Sequence, residues 1–197
     1  MKKLLCLPFL ALLFVTCAQA QTAAAPTAKP SAQPSQPPTV TMIVDSGLKY
    51  PESEVAPAAD AMPEDKYEFA PTSGEFKGVR TFGQQVRHVA AANYMICAAI
   101  LSEKPPVDTG GESGPTSVKT KADSVKFLKD SYAYCHKAYS SINESNATGQ
   151  VQSPFGPNKV SRLGLAMLNV GHNFDHYGQM VEYLRMNGII PPASRGQ

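Results

Sequence analysis

Three long stretches after residue 80 repeat apolar side chains every three or four positions, which is the spacing of one face of an α-helix. They cover residues 81–101, 121–142 and 159–187. A weaker pattern at residues 51–62 begins with a proline suited to a first helical turn, although Pro57 would kink the helix. Because no long segment alternates polar and apolar residues as a strand does, the sequence predicts an all-α four-helix bundle.

Local signals mark where these predicted helices begin and end. Thr81 and Gln84 have the spacing of a capping box, and Thr120 suits the N-cap of the next helix. Gly188, with two prolines shortly after it, is typical of a helix end. The connections at residues 103–117 and 143–158 are rich in Gly, Pro, Ser and Asn, so we expect long interhelical loops.

The N-terminus predicts export and a tether before the bundle. Residues 1–20 combine two lysines, a short apolar run and a small-residue ending, so we expect a signal peptide cleaved after Ala20 and a periplasmic or secreted protein. Cys17 allows a lipoprotein alternative, which is less favoured because Phe-Val-Thr before it is a poor lipobox. Residues 21–40 are Pro, Ala and Ser-rich and predict a disordered linker. Residues 41–197 are then the domain, and no stretch approaches the roughly 20 apolar residues of a membrane span.

The charge of the chain argues against a nucleic-acid partner. The whole sequence has a formal charge of +2, and loss of Lys2 and Lys3 with the signal peptide leaves equal numbers of basic and acidic side chains. A neutral domain without a basic stripe has no electrostatic attraction to phosphate.

Two histidines in the last predicted helix are the main candidates for a functional site. His172 and His176 are four residues apart and fall about 40° from one another around a helix, on the inward side. Side chains at this spacing can bind one ion, although two core histidines satisfied by hydrogen bonds would show the same pattern. His88, at the edge of the apolar arc of the second long helix, is the candidate third ligand.

The remaining histidine and the two internal cysteines are placed away from this site. His136 follows a core position and turns off the core, so we expect a solvated side chain. Cys97 lies about 180° around the helix from His88. Cys97 and Cys135 can either remain reduced or, in an oxidising compartment, bridge two helices.

The histidine motifs resemble the DinB superfamily. The likeness covers roughly residues 50–195 and lies in VRHVAAANY around His88, in His172-x3-His176-Tyr-Gly-Gln, and in the closing YLRMNGIIPP. The resemblance implies a four-helix bundle, commonly a homodimer, in which His88, His172 and His176 would hold a divalent metal ion, zinc first and nickel second. Three histidines leave coordination positions open, as in catalytic metal sites.

The sequence departs from many members of that family beside the second motif. Asp175 and Tyr177 stand where a further histidine and an arginine are common. The thiol-transfer activity of cytoplasmic relatives is not expected of an exported chain, which lacks a supply of low-molecular-weight thiols.

Three functions therefore stay open. The first is a metal-dependent hydrolase or transferase acting on an unknown small-molecule substrate. Here Asp175 is either a hydrogen-bonding partner of the site or simply exposed. The second is a non-catalytic secreted metal-binding or interaction module, and the third is a purely structural bundle.

Overall fold

Four α-helices make up most of residues 37–196, which are the residues that this computed structural model describes. The helices are α1 (Val40–Ala61), α2 (Phe82–Leu101), α3 (Lys121–Ser140) and α4 (Arg162–Met186). The predicted signal peptide and almost all of the predicted linker lie outside the described residues. In the described part of the chain, no helix is both long enough and apolar enough to cross a membrane.

Each helix packs mainly against two others, as in a bundle. Helix α2 contacts α3 and α4, and α1 contacts α3 and α4 on the opposite side. The fully buried side chains between them include Leu48, Phe82, Ile96, Ile100, Leu128, Tyr132, Tyr139, Leu165, Met180 and Leu184. The predicted all-α four-helix bundle is confirmed.

The predicted starts of α2 and α3 are confirmed because local side-chain bonds fix them. The Thr81 hydroxyl accepts from the backbone N–H of Gln84, and the Gln84 side chain accepts from the backbone N–H of Thr81. Thr120 and Asp123 form the same reciprocal pair at α3. Each capping box satisfies two amide groups that a helix end otherwise leaves unpaired.

The predicted start of α1 at residue 51 is wrong, because the helix begins eleven residues earlier, at Val40. The Thr39 hydroxyl caps it by accepting from the backbone N–H of Met42. Pro51 lies inside the helix and is buried. Leu48 and Val55, both fully buried, pack one turn on either side of it, so tertiary contacts offset the missing backbone bond.

A short hairpin before α4 was not predicted. Strands β1 (Gln150–Gln152) and β2 (Lys159–Ser161) pair antiparallel, with Val151 opposite Val160. Three-residue strands are too short to show alternation in the sequence. The hairpin delays the start of α4 to Arg162, where the Ser161 hydroxyl caps the helix by accepting from the Gly164 N–H.

The prediction that His136 is solvated is wrong. Its side chain leaves the core but is only 27% exposed, because both ring nitrogens bond to carboxylates on α1. Nδ1 lies 2.5 Å from Asp45 and Nε2 lies 2.7 Å from Glu52. Burial opposes protonation, but the bonds to the two carboxylates outweigh it and hold the pKa of His136 above its ordinary value.

The two internal cysteines form a disulfide. Cys97 on α2 and Cys135 on α3 are bonded, with their Cα atoms 5.2 Å apart. Both residues are fully buried, and the Asn169 side-chain amide on α4 contacts both sulfur atoms. Of the two alternatives left open by the sequence, the structure therefore adopts the bridge between helices.

Candidate metal centre

Three histidines from two helices meet at one point between α2 and α4. His88, His172 and His176 each contribute one ring nitrogen to a group in which all three atoms lie within 4.8 Å of one another. The Nε2 atoms of His88 and His172 are 3.1 Å apart. His88 and His176 are buried, and His172 is partly exposed. In the described residues, no other cluster of His, Cys, Asp or Glu has this geometry.

A glycine-rich loop orients the His88 ring. The backbone carbonyl of Glu112 accepts from His88 Nδ1 at 2.5 Å, which leaves the Nε2 lone pair facing the other histidines. Gly110, Gly111 and Gly114 surround this residue with positive φ angles of 59°, 63° and 84°. A Cβ atom on Gly114 would lie 2.7 Å from the Arg87 Cβ, so only glycine lets the loop approach α2 this closely.

A chain of glutamines orients the His176 ring. His176 Nδ1 donates to the Gln85 side-chain oxygen at 2.6 Å, and the Gln85 amide donates to Gln179 at 2.7 Å. The Gln179 amide in turn donates to Asp175 at 3.2 Å. This chain assigns the His176 proton to Nδ1 and leaves Nε2 available as a ligand.

His172 lacks such a partner. Its Nδ1 is buried and, among the described residues, is the one such side-chain nitrogen or oxygen without a hydrogen bond. Asp175 lies near enough for its charge to raise the pKa of His172, although it forms no hydrogen bond with the ring. Of the three rings, His172 is the one that neighbouring residues hold least firmly.

Electrostatics favour the neutral form of all three imidazoles. Burial, together with the charges of the neighbouring histidines, lowers the pKa of His172 to about 4 and that of His176 to about 3. Burial is also the largest cause of the lowered pKa of His88. Near neutral pH the rings therefore keep the lone pairs that a metal ion requires.

The donor set fits a zinc-like ion. Ligand nitrogens at about 2.0–2.1 Å from a tetrahedral ion are roughly 3.3–3.4 Å apart, close to the 3.1 Å between His88 and His172. All donors are neutral imidazoles, which suit zinc and nickel, and the hydrogen bonds to Glu112 and Gln85 are the outer contacts usual for ligating histidines.

A small cavity opens beside the histidines. It has a volume of about 260 Å³ and reaches the rings of His88 and His172. Its other lining residues are Arg80, Ala92, Ile96, Glu112, Phe155 and Leu168. Phe155 comes from the turn between β1 and β2, so the unpredicted hairpin forms part of the wall. The cavity is thus partly charged and partly apolar.

The sequence indicated the three histidines but not the residues around them. Gln85 was not predicted, although its position three residues before His88 places it on the same face of α2. Glu112 lies in a short 3-10 turn (Gly111–Ser113) and Arg80 in a loop, where α-helical periodicity gives no signal. Asp175 is exposed and forms no hydrogen bond with the three histidines; its hydrogen-bonding link to the site runs through Gln179 and Gln85.

A four-helix bundle with one histidine on its second helix and two on its fourth defines a class of helical proteins whose histidines can hold a divalent metal ion. Within that class, the chain belongs to the DinB superfamily, whose profile matches residues 51–180. No protein of curated function matches its sequence.

Solved structures of similar proteins show the same fold. A DinB-like protein from Bacillus subtilis has 17% sequence identity and a TM-score of 0.59, with 79% of this chain and 99% of that chain covered. A DinB-like protein from Bacillus cereus has 18% identity and a TM-score of 0.57, with 78% and 96% covered. At these identities the likeness supports the fold and carries no specific activity.

Proposed function

We propose that the protein binds one divalent metal ion through His88, His172 and His176 and uses it in a hydrolytic or group-transfer reaction on a small molecule. The observation that carries this proposal is the convergence of three neutral ring nitrogens within 4.8 Å beside an open cavity. Zinc is the first expectation and nickel the second, because both accept imidazole ligands.

The chain supplies two features that such a reaction requires. Three protein ligands leave room for water or substrate at the ion, and a bound ion of this kind lowers the pKa of water or polarises a carbonyl. Glu112 lines the same cavity, and we assign its carboxylate to accept a proton from the attacking nucleophile at one of its Oε atoms. The backbone of the same residue orients His88, so the loop serves both purposes.

We also propose that the protein is exported, as its N-terminus suggests. A buried disulfide between Cys97 and Cys135 supports this proposal, because disulfides persist in oxidising compartments and are rare in reducing ones. Homodimerisation is a further proposal, supported by exposed apolar side chains on α1 and α4 such as Ile43 and Met167.

The metal proposal is tested by metal content. Protein expressed with its N-terminal segment and purified without an affinity tag would be analysed by mass spectrometry beside the His172→Ala, His176→Ala double variant. We expect one equivalent of metal in the wild type and none in the variant. His136→Gln is the matched control, since it removes a histidine elsewhere and should keep the metal. A wild type that is metal-free and takes up neither zinc nor nickel would refute the proposal.

Catalysis is tested separately with the Glu112→Gln variant. This variant keeps the backbone carbonyl that contacts His88, so metal content should be unchanged while hydrolysis of a panel of small esters and amides falls at least about 100-fold. A metal-loaded wild type with no activity over such a panel would favour the non-catalytic binding module instead.

A further inference from the structure

The Arg80 side chain lies near the candidate metal centre and has no role in the proposed metal site. The residue precedes the cap of α2, and its backbone carbonyl accepts from the Tyr183 hydroxyl at 3.1 Å. Arg80 lines the cavity of about 260 Å³ together with His88 and His172. Its positive charge lowers the pKa of all three histidines, which places the guanidinium within electrostatic reach of each ring.

The Arg80 guanidinium lacks a partner within the described residues. No carboxylate lies within ion-pair distance of it, and it donates no hydrogen bond there. Arg87, seven residues further on, is by contrast 3.8 Å from Glu68. A partly buried guanidinium with unused donors in a cavity matches the planar, two-oxygen geometry of a carboxylate.

The rest of the cavity lining includes four apolar residues. Ala92 and Ile96 belong to α2, Phe155 comes from the β1–β2 turn, and Leu168 belongs to α4. Phe155 is 44% exposed and Leu168 is 48% exposed, so these two large apolar side chains are accessible to a ligand. A ligand that covers them must carry an apolar portion, and a volume of about 260 Å³ limits it to a small molecule.

The charges around the site favour an anionic ligand. Three neutral imidazoles contribute no negative charge to balance a divalent ion, and Arg80 adds one positive charge. The nearby acids are Glu112 in the cavity and Asp175 on the exposed side of α4. With a divalent ion bound, the positive charges exceed these two negative charges by one.

We infer that the substrate is a small organic acid with an apolar tail. Its carboxylate pairs with Arg80, its tail packs against Ile96, Phe155 and Leu168, and its reacting group faces the three histidines. This inference rests on the proposed function, because the histidines and their ion supply the reacting centre. Arg80 is accordingly a specificity-determining residue rather than a metal ligand.

Calorimetry with matched acids and amides tests the inference. Hexanoate and benzoate, with hexanamide and benzamide as neutral partners, would be titrated into zinc-loaded wild type, Arg80→Gln and Lys119→Gln. We expect each acid to bind wild type at least about tenfold more tightly than its amide, and Arg80→Gln to abolish that preference. Lys119→Gln is the control, because it removes an exposed positive charge from the neighbouring cavity that Arg80 also lines and should keep the preference.

The outcomes separate this inference from the proposed function. Equal affinity for acid and amide in zinc-loaded wild type overturns the inference alone. Acid binding that survives in Arg80→Gln also overturns it, because the carboxylate would then bind the ion directly. A wild type that takes up neither zinc nor nickel refutes the proposed function, while Arg80-dependent acid binding by that metal-free protein still supports the carboxylate pocket. Metal content and thermal unfolding of each variant show that the site and the fold are intact.

Discussion

Replacing Gln85 by leucine isolates the contribution of one hydrogen bond to metal affinity. Gln85 is 2% exposed, and its side-chain oxygen accepts from His176 Nδ1 at 2.6 Å. Leucine is a shorter, apolar side chain without an acceptor, so the His176 N–H would be left unpaired in a buried position. His176 itself keeps its place on α4 and still presents Nε2 to the site.

The expected size follows from two independent arguments. Leaving a buried donor unpaired costs about 1–3 kcal/mol. Loss of a hydrogen bond behind a ligating histidine typically reduces metal affinity about 10–100-fold, which is about 1.4–2.7 kcal/mol. The two ranges overlap, so we expect the zinc Kd of Gln85→Leu to rise between about 10-fold and 100-fold.

Zinc affinity would be measured by competition with a chromophoric chelator at pH 7.5. Gln179→Leu is the matched variant, because Gln179 is hydrogen-bonded to Gln85 and not to the His176 ring itself. We expect its effect to be smaller than that of Gln85→Leu. Circular dichroism of the metal-free proteins shows whether the helices are unchanged.

An unchanged zinc Kd in Gln85→Leu would refute this reasoning, provided that the wild type binds zinc through the same histidines. An equal loss in both variants would contradict the assignment of the direct bond to Gln85. A variant with lower helix content would be replaced by Gln85→Glu, which keeps an acceptor and should restore most of the affinity.

Three further predictions concern the parts of the fold that hold the site. The Cys97–Cys135 bridge spans 38 residues, and the loop-entropy model gives it a stabilisation of about 4 kcal/mol. Its reduction should therefore lower Tm by roughly 10 °C, and an unchanged Tm would contradict this prediction. Gly114→Ala should lower both Tm and zinc affinity, because φ at this residue is +84° and the new Cβ would clash with Arg87 on α2. An unchanged Tm together with an unchanged zinc affinity would contradict the close approach of the loop to α2. The ion pairs of protonated His136 with Asp45 and Glu52 raise its pKa. They therefore stabilise the fold fully below about pH 6.5, and this stabilisation is lost as the pH rises through the raised pKa. Urea unfolding should therefore show a larger loss for His136→Gln at pH 6 than at pH 9, and an equal loss would contradict it.

How far the sequence predicted the fold depends on whether a signal was local. Helices α2 and α3 begin where Thr81 and Thr120 predict, because a capping box lies within four consecutive residues. Helix α1 was predicted too short because Pro51 resembles a helix start, whereas its tolerance inside the helix depends on packing against other helices. The β1–β2 hairpin is stabilised by pairing and by the burial of Val151, neither of which three residues can signal.

The candidate site divides in the same way. His172 and His176 are adjacent on one helical face, so their spacing sufficed, and His88 was indicated by its position at the edge of the apolar arc of α2 and by the family resemblance. Residues 103–117 carry no periodicity, and only the folded loop reveals that the Glu112 carbonyl reaches His88. Arg80 also depends on tertiary structure, because it meets the histidines only when α2 packs against α4.

Contacts that involve no metal hold the helices that carry the three histidines. Asn173, beside His172, donates to Asn93 on α2 at 2.8 Å and accepts from the Tyr132 hydroxyl on α3 at 2.5 Å. The disulfide joins α2 to α3, so α2, α3 and α4 are fixed relative to one another through polar and covalent contacts. A metal ion would therefore meet ligands already in place, unlike a zinc finger, whose folding depends on the metal. Metal affinity then depends on the orientation of the histidine rings rather than on the folding of the chain. His88 and His176 are oriented by neighbouring groups, whereas His172 Nδ1 has no partner among the described residues, so its orientation depends most on the ion itself.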